Sequence, residues 1–190
     1  VIQAVAAAID EELEPEEIAE IAAGIEPTDG IFYPGIVQMN YMTGELIKSY
    51  GNAPKMIIAM FDMGGSINTV EFHSEYHGHE DSPKELLEAI DKLDVDFSPR
   101  QIAHVATLSA LANQKLVPKP HLEEIIKYSA TLGALGVNVA HSGTMVGVLF
   151  APDESMKHVM EAVEKIREKF PELEYFETER LISGGYDIEH

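Results

Sequence analysis

The sequence predicts an α+β fold: an antiparallel sheet with helices on one face, of the split β-α-β kind, preceded by a smaller piece of another domain. Three observations carry this. From residue 56 onward the patterns run strand, helices, hairpin, helix, strand. Met56 to Phe61 is a continuous apolar run, as expected of a central strand. Val137 to Ala140 and Val146 to Phe150 are two apolar runs held apart by the small residues His141, Ser142, Gly143 and Thr144, a hairpin signal. A length of 190 residues suits one ordinary domain, or one domain plus part of another.

Residues 1–13 read as a helix, and Pro15 opens a second one with acids in its first turn, stopped at Gly24. Glu26-Pro27-Thr28-Asp29-Gly30 is a turn or helix start. Ile36 to Tyr41 and Glu45 to Tyr50 alternate around Met42-Thr43-Gly44, which predicts a hairpin. Gly51-Asn52-Ala53-Pro54 reads as a linker, so residues 1–52 and 53–190 are expected to belong to different domains. After the strand at 56–61, Asp62 to Ser66 form a loop and residues 67–82 are polar and irregular. Helices are predicted over Pro83–Leu93, over Ser98–Asn113 with Ile102, Val105, Leu108, Leu111 and Ala112 on one face, and over His121–Leu132. After the hairpin, Pro152-Asp153 opens a helix to about Phe170, with Met156, Val159, Met160, Val163 and Ile166 facing inward. Leu173 to Ile182 reads as a closing strand.

Composition narrows the function. There are no cysteines, which excludes disulfides and thiolate catalysis. No apolar run approaches the roughly 18 residues needed to span a bilayer, and the first residues lack a basic n-region. A cytoplasmic protein is the expectation. Thirteen basic against 33 acidic residues give a net charge of −20. That charge argues against nucleic-acid and anionic-membrane partners. It leaves ATP open, because a local cluster of donors can hold a phosphate against the global field. The acid runs near residues 10–12 and 14–20 read as solvated helix faces.

Val1 to Ile9 has the look of the middle of an apolar helix and carries no capping residue, so the chain is read as a fragment. Four segments then stand out in order: Glu26-Pro27-Thr28-Asp29-Gly30; Tyr33-Pro34-Gly35; Asp62-Met63-Gly64-Gly65; and Asn138-Val139-Ala140-His141-Ser142-Gly143-Thr144. Together, and through to Ile182-Ser183-Gly184-Gly185, they resemble the GHMP kinase superfamily, and within it the L-threonine kinase branch that serves cobalamin synthesis and propanediol utilisation. The resemblance implies a ferredoxin-like C-terminal domain over 53–190 and a remnant of the ATP- and substrate-binding N-terminal domain over 1–52. It implies ATP and Mg2+ for the full-length protein, with an amino acid as phosphoryl acceptor. The superfamily's Pro-x-Gly-x-Gly-x-x-Ser-Ser loop, which opens a phosphate-cradling helix, is not in this sequence. The resemblance places it just before Val1, so the fragment alone is expected to be inactive.

In phosphoryl transfer to an alcohol, a carboxylate near the acceptor can orient the hydroxyl or take its proton. The resemblance gives that role to Asp29, with Thr28 beside it as a substrate contact; as a plain residue, Asp29 equally suits a helix N-cap. Asp62, Gly64 and Gly65 at the end of the apolar strand are candidates for the substrate pocket, and an Asx-turn is the structural alternative. His141, Ser142, Gly143 and Thr144 match the family's third motif and offer hydroxyls and N–H groups to a substrate carboxylate or phosphate; alone they equally suit a plain turn. His73, His77 and His79 lie among Glu71, Glu75, Glu80 and Asp81, but their spacing fits no standard zinc site and a solvated acidic loop is the plainer reading. An amino-acid-binding regulatory module without catalysis, and a metal-binding protein built on that cluster, are the other readings.

Overall fold

The computed structural model describes residues 1–26, 28–65, 83–94, 97–115, 117–140 and 143–183. The His73/His77/His79 cluster, His141, Ser142 and the terminal Gly184-Gly185 lie outside the described residues. The chain divides into two compact units, Val1–Ala53 together with the residues from Ile182, and Pro54–Leu181.

The first unit holds α1 (Ile2–Ala8), α2 (Pro15–Ile25) and an antiparallel ribbon of β1 (Ile36–Met39) and β2 (Leu46–Gly51). α1 ends well short of residue 13, with Asp10 in a left-handed turn at φ 56°. The Glu11-Glu12 acids that follow are poor partners for an apolar helix face. Glu14 and Glu17 form a reciprocal capping box at the start of α2, the Glu14 N–H donating to Glu17 Oε2 at 2.9 Å. Tyr33 is buried and its hydroxyl donates to the Gly44 carbonyl at 2.8 Å, which fastens the ribbon's turn. Ser183 joins this unit rather than the second: its Oγ accepts from the Ala53 N–H at 2.7 Å and its carbonyl from the Gly35 N–H at 2.9 Å. The sequence-based division, which placed everything from 53 to 190 together, has no access to such a return of the chain.

The second unit contains β3 (Ile57–Asp62), α3 (Lys84–Asp91), α4 (Pro99–Asn113), α5 (Leu122–Thr131), β4 (Gly136–Val139), β5 (Met145–Phe150), α6 (Met156–Lys169) and β6 (Glu174–Arg180). The four strands pair antiparallel in the order β4-β5-β3-β6, which places the apolar β3 inside the sheet as its pattern predicts. Ile57, Ala59 and Phe61 of β3 and Val146, Val148 and Phe150 of β5 point to one face and pack with Leu122 and Ile125 of α5 and Val159, Val163 and Ile166 of α6. Leu149 points to the opposite side and meets Met56 and Ala103 of α4.

Ser98 and Gln101 form the capping box of α4, and Ser155 Oγ accepts from the His158 N–H at the start of α6. Of the expected α4 face, Ile102 packs partly buried against Met56, Ala103 and Leu149, and Val105, Leu108 and Ala112 are half-buried, but the helix's fully buried residues are others. It buries Ala103, Ala110 and Asn113, and Leu111 is exposed. The reason is close approach: a Cβ at Gly136 would collide with the Ala103 carbonyl and Thr107 Oγ1, so small residues line the contact. Thr107 Oγ1 accepts from the Val137 N–H at 2.9 Å and donates to the Ala103 carbonyl at 2.8 Å. It thereby satisfies a backbone donor on the edge strand β4. Met156 likewise sits exposed in the first turn of α6, while Val159, Val163 and Ile166 are buried as predicted.

Candidate functional site

β3 and β5 pair from Ile57↔Phe150 to Asp62↔Met145, so the residue after β3 and the residue before β5 emerge at the same end of the sheet. This register alone brings together two of the segments singled out in the sequence. The Met63 N–H donates to the Thr144 carbonyl at 3.1 Å. The Gly64 N–H reaches Asp62 Oδ1 at 2.9 Å, the Asx-turn anticipated as the structural alternative. Gly64 and Gly65 both have positive φ, 72° and 86°, a pair of left-handed residues that only glycine adopts without strain.

These bonds set the charge at the site. The Thr144 hydroxyl first, and the Gly64 N–H second, hold the Asp62 carboxyl below the usual carboxylate range; partial burial opposes them and loses. Asp62, Gly143 and Thr144 are half-buried, and Gly64 and Gly65 are exposed. Asp62 is therefore an ionised group at neutral pH, with its Oδ1 held by the Gly64 N–H.

Asp29 and Thr28 belong to the first unit. Asp29 is exposed, and the residues after it form turns and not a helix, so the N-cap role does not arise. Thr28 is half-buried, its N–H donating to the Tyr41 carbonyl at 3.0 Å. Among the described residues no three carboxylate or imidazole side chains converge on a point that could hold a metal ion. Among the described residues no helix of eight or more residues opens from a glycine- and serine-rich loop.

One feature of the second unit gave no signal in the sequence. Lys119, between α4 and α5, is only 4% exposed, and its amine has no hydrogen-bond partner among the described residues. Burial lowers its pKa. Gln114 holds the backbone around it, Oε1 accepting from the Lys119 N–H at 2.5 Å and Nε2 donating to its carbonyl at 3.0 Å. A lysine between two prolines reads as a solvated loop residue; only the fold buries it.

Residues 86–169 match the family model described as "GHMP kinases C terminal". An L-threonine kinase of Citrobacter freundii is 23% identical over 98% of this chain and 67% of its own length. Among solved structures, the Methanococcus jannaschii mevalonate kinase superposes with a TM-score of 0.62 at 19% identity, covering 95% of this chain and 61% of that one. A homoserine kinase from Cytophaga hutchinsonii gives a TM-score of 0.55 at 14% identity, over 94% and 60% respectively. The chain thus spans about three fifths of the solved kinases it resembles, and these likenesses speak to the fold. Residues 86–169 thus carry the match to a GHMP kinase C-terminal domain, and the fold of the chain is similar to that of GHMP-type kinases.

Proposed function

We propose that the full-length protein is an ATP-dependent kinase that phosphorylates the hydroxyl of L-threonine or a similar amino acid. In this reading residues 1–52 are part of the nucleotide- and substrate-binding domain, and residues 53–190 the C-terminal domain. The observation that carries it is the meeting of the Asp62-x-Gly64-Gly65 turn and the Gly143-Thr144 loop at one end of the sheet. The similarity to an L-threonine kinase over 98% of the chain supports the substrate class.

ATP supplies the phosphoryl group. The acceptor oxygen forms a bond to the γ-phosphorus as the bond to the leaving oxygen of ADP breaks, and the hydroxyl proton passes to a carboxylate. Asp29 is the residue we assign to that proton, with Thr28, Asp62, Gly64, Gly65, His141, Ser142, Gly143 and Thr144 as substrate contacts. Homoserine, serine and threonine differ by a methyl or methylene, which is worth only about 1–3 kcal/mol of discrimination. Acceptor choice must therefore be measured.

The test is ADP formation by the full-length gene product with L-threonine, L-serine and L-homoserine supplied separately. Turnover with L-threonine preferred is the expected result. Amino-acid binding without any ATP turnover would instead favour a regulatory module. In the active enzyme, Asp29→Ala should lower kcat by about 10²–10⁴-fold with little change in KM; an unchanged kcat removes Asp29 from the chemistry.

A further inference from the structure

Asp29 is exposed, yet the backbone on both sides of it is fixed. The Thr28 N–H donates to the Tyr41 carbonyl at 3.0 Å. Gly30 lies against β1, where a Cβ would come within 2.9 Å of Val37 Cγ2 and 3.2 Å of Met39 Sδ. The Tyr33 N–H donates to the Gly30 carbonyl at 3.1 Å and closes a turn, and the Tyr33 hydroxyl donates to the Gly44 carbonyl at 2.8 Å. Tyr33 is buried, so that bond is shielded from water.

Tyr41 and Gly44 belong to the same turn, the one that joins β1 to β2. That turn is a rigid support. The Asn40 carbonyl accepts from the Thr43 and Gly44 N–H groups at 3.3 and 2.8 Å, and Asn40 Oδ1 accepts from the Met42 N–H at 3.0 Å. It is seated directly on α2, since a Cβ at Gly44 would come within 2.5 Å of the Ala19 carbonyl. The segment that carries Asp29 therefore hangs from a fixed turn by two bonds. One comes from the backbone just before Asp29, and the other from a side chain four residues after it.

We propose that Tyr33 is a positioning residue whose hydroxyl, through Gly44, holds the Asp29 carboxylate where it takes the proton of the acceptor hydroxyl. The role of Asp29 rests on the kinase reading above; the dependence of its loop on Tyr33 does not. Deleting the hydroxyl leaves Asp29 chemically intact but less well placed. That costs rate rather than binding, because a proton acceptor must be aligned with the reacting hydroxyl in the transition state.

The experiment uses the full-length protein as wild type, Tyr33→Phe, Asp29→Ala, the variant carrying both changes, and Tyr50→Phe. Tyr33→Phe keeps the buried ring and deletes only the hydroxyl. It should lower kcat for L-threonine about tenfold, within the roughly 10²-fold that misplacing a reacting group costs, with KM for L-threonine and for ATP nearly unchanged. In the Asp29→Ala background the same change should cause no further loss, because the group it positions is gone. Hydrogen exchange at the Thr28 amide should quicken in Tyr33→Phe. Tyr50 is the control: it is buried in the same ribbon, and its hydroxyl donates to Gln38 Oε1 at 3.4 Å and not to the turn that holds Asp29. Tyr50→Phe should leave kcat and Thr28 exchange as in the wild type. An unchanged kcat in Tyr33→Phe, an equal further loss in the double variant, or an equal loss in Tyr50→Phe overturns the positioning role. If no amino acid is phosphorylated, or if Asp29→Ala is fully active, the role of Asp29 falls and the positioning role falls with it, while Thr28 exchange still decides whether Tyr33 holds the loop.

Discussion

The two units bury their apolar residues to very different degrees. In Pro54–Leu181, a four-stranded sheet meets two helices across one face, and Phe61, Phe150, Ile57, Val146, Val148 and Ile166 lose all solvent contact. In the first unit, a two-stranded ribbon and two short helices bury Ile18, Ala19, Tyr33 and Tyr50, while Val5, Ile9 and Ile25 stay 56%, 65% and 76% exposed. The helices of both units are amphipathic or apolar in sequence, so pattern does not separate them. What differs is the number of layers: a wide sheet gives each helix a surface to cover, and a two-stranded ribbon does not.

The sharpest way to break this comparison is to cut into the better-packed unit. Phe61 is fully buried and lies edge-on to Tyr175 with ring centroids 5.9 Å apart. Phe61→Ala should cost about 3–5 kcal/mol in chemical denaturation, through lost transfer energy and the cavity left behind. A loss of the size expected at a surface position would show that the sheet core is not what holds this unit together.

Lys119 is the exception within that unit, and replacing it should help. Lys119→Met removes a buried amine without a hydrogen-bond partner among the described residues while keeping the length of the side chain, and should stabilise the protein by about 1–3 kcal/mol at neutral pH. The sign with pH follows from the lowered folded-state pKa. The unfolded chain binds the proton more tightly than the folded one, so the wild type carries the penalty throughout the range below its folded pKa. The penalty shrinks as pH rises toward the unfolded value of about 10.4. The advantage of the methionine variant should therefore decline between neutral and strongly alkaline pH; a constant advantage would assign it to packing alone.

The smallest effect is expected in the first unit. Ile25→Gln, at the end of α2, should change stability by less than about 0.5 kcal/mol, because the side chain is already largely in water. A large loss on the same denaturation curve would mean that this surface is covered in the full-length protein, and would narrow the contrast between the units.

Much of the fold was legible in the chain. The apolar run at 56–61 became the internal strand β3, the paired runs around 141–144 became β4 and β5, and Ser98-Pro99 opened α4 with the capping box its residues allow. The inner face of α4 was not legible, because Gly136 brings the backbones so close that alanines outrank the larger Ile102 and Val105. Asp62 and the glycine-rich hairpin loop each stood out as candidates, but separately.

By itself the sequence determined the identity and order of the elements, the turn chemistry at Gly64 and Gly65, and the absence of thiol chemistry, since periodicity, capping and residue type are local properties. The tertiary structure decided the rest: the β4-β5-β3-β6 order, the return of Ser183 to Ala53 and Gly35, the burial of Lys119, and the Met63 N–H on the Thr144 carbonyl. Each of these depends on which distant segments share a register or a surface. The free energy that selects one register is a sum over the whole packed sheet, and no local stretch of sequence contains it.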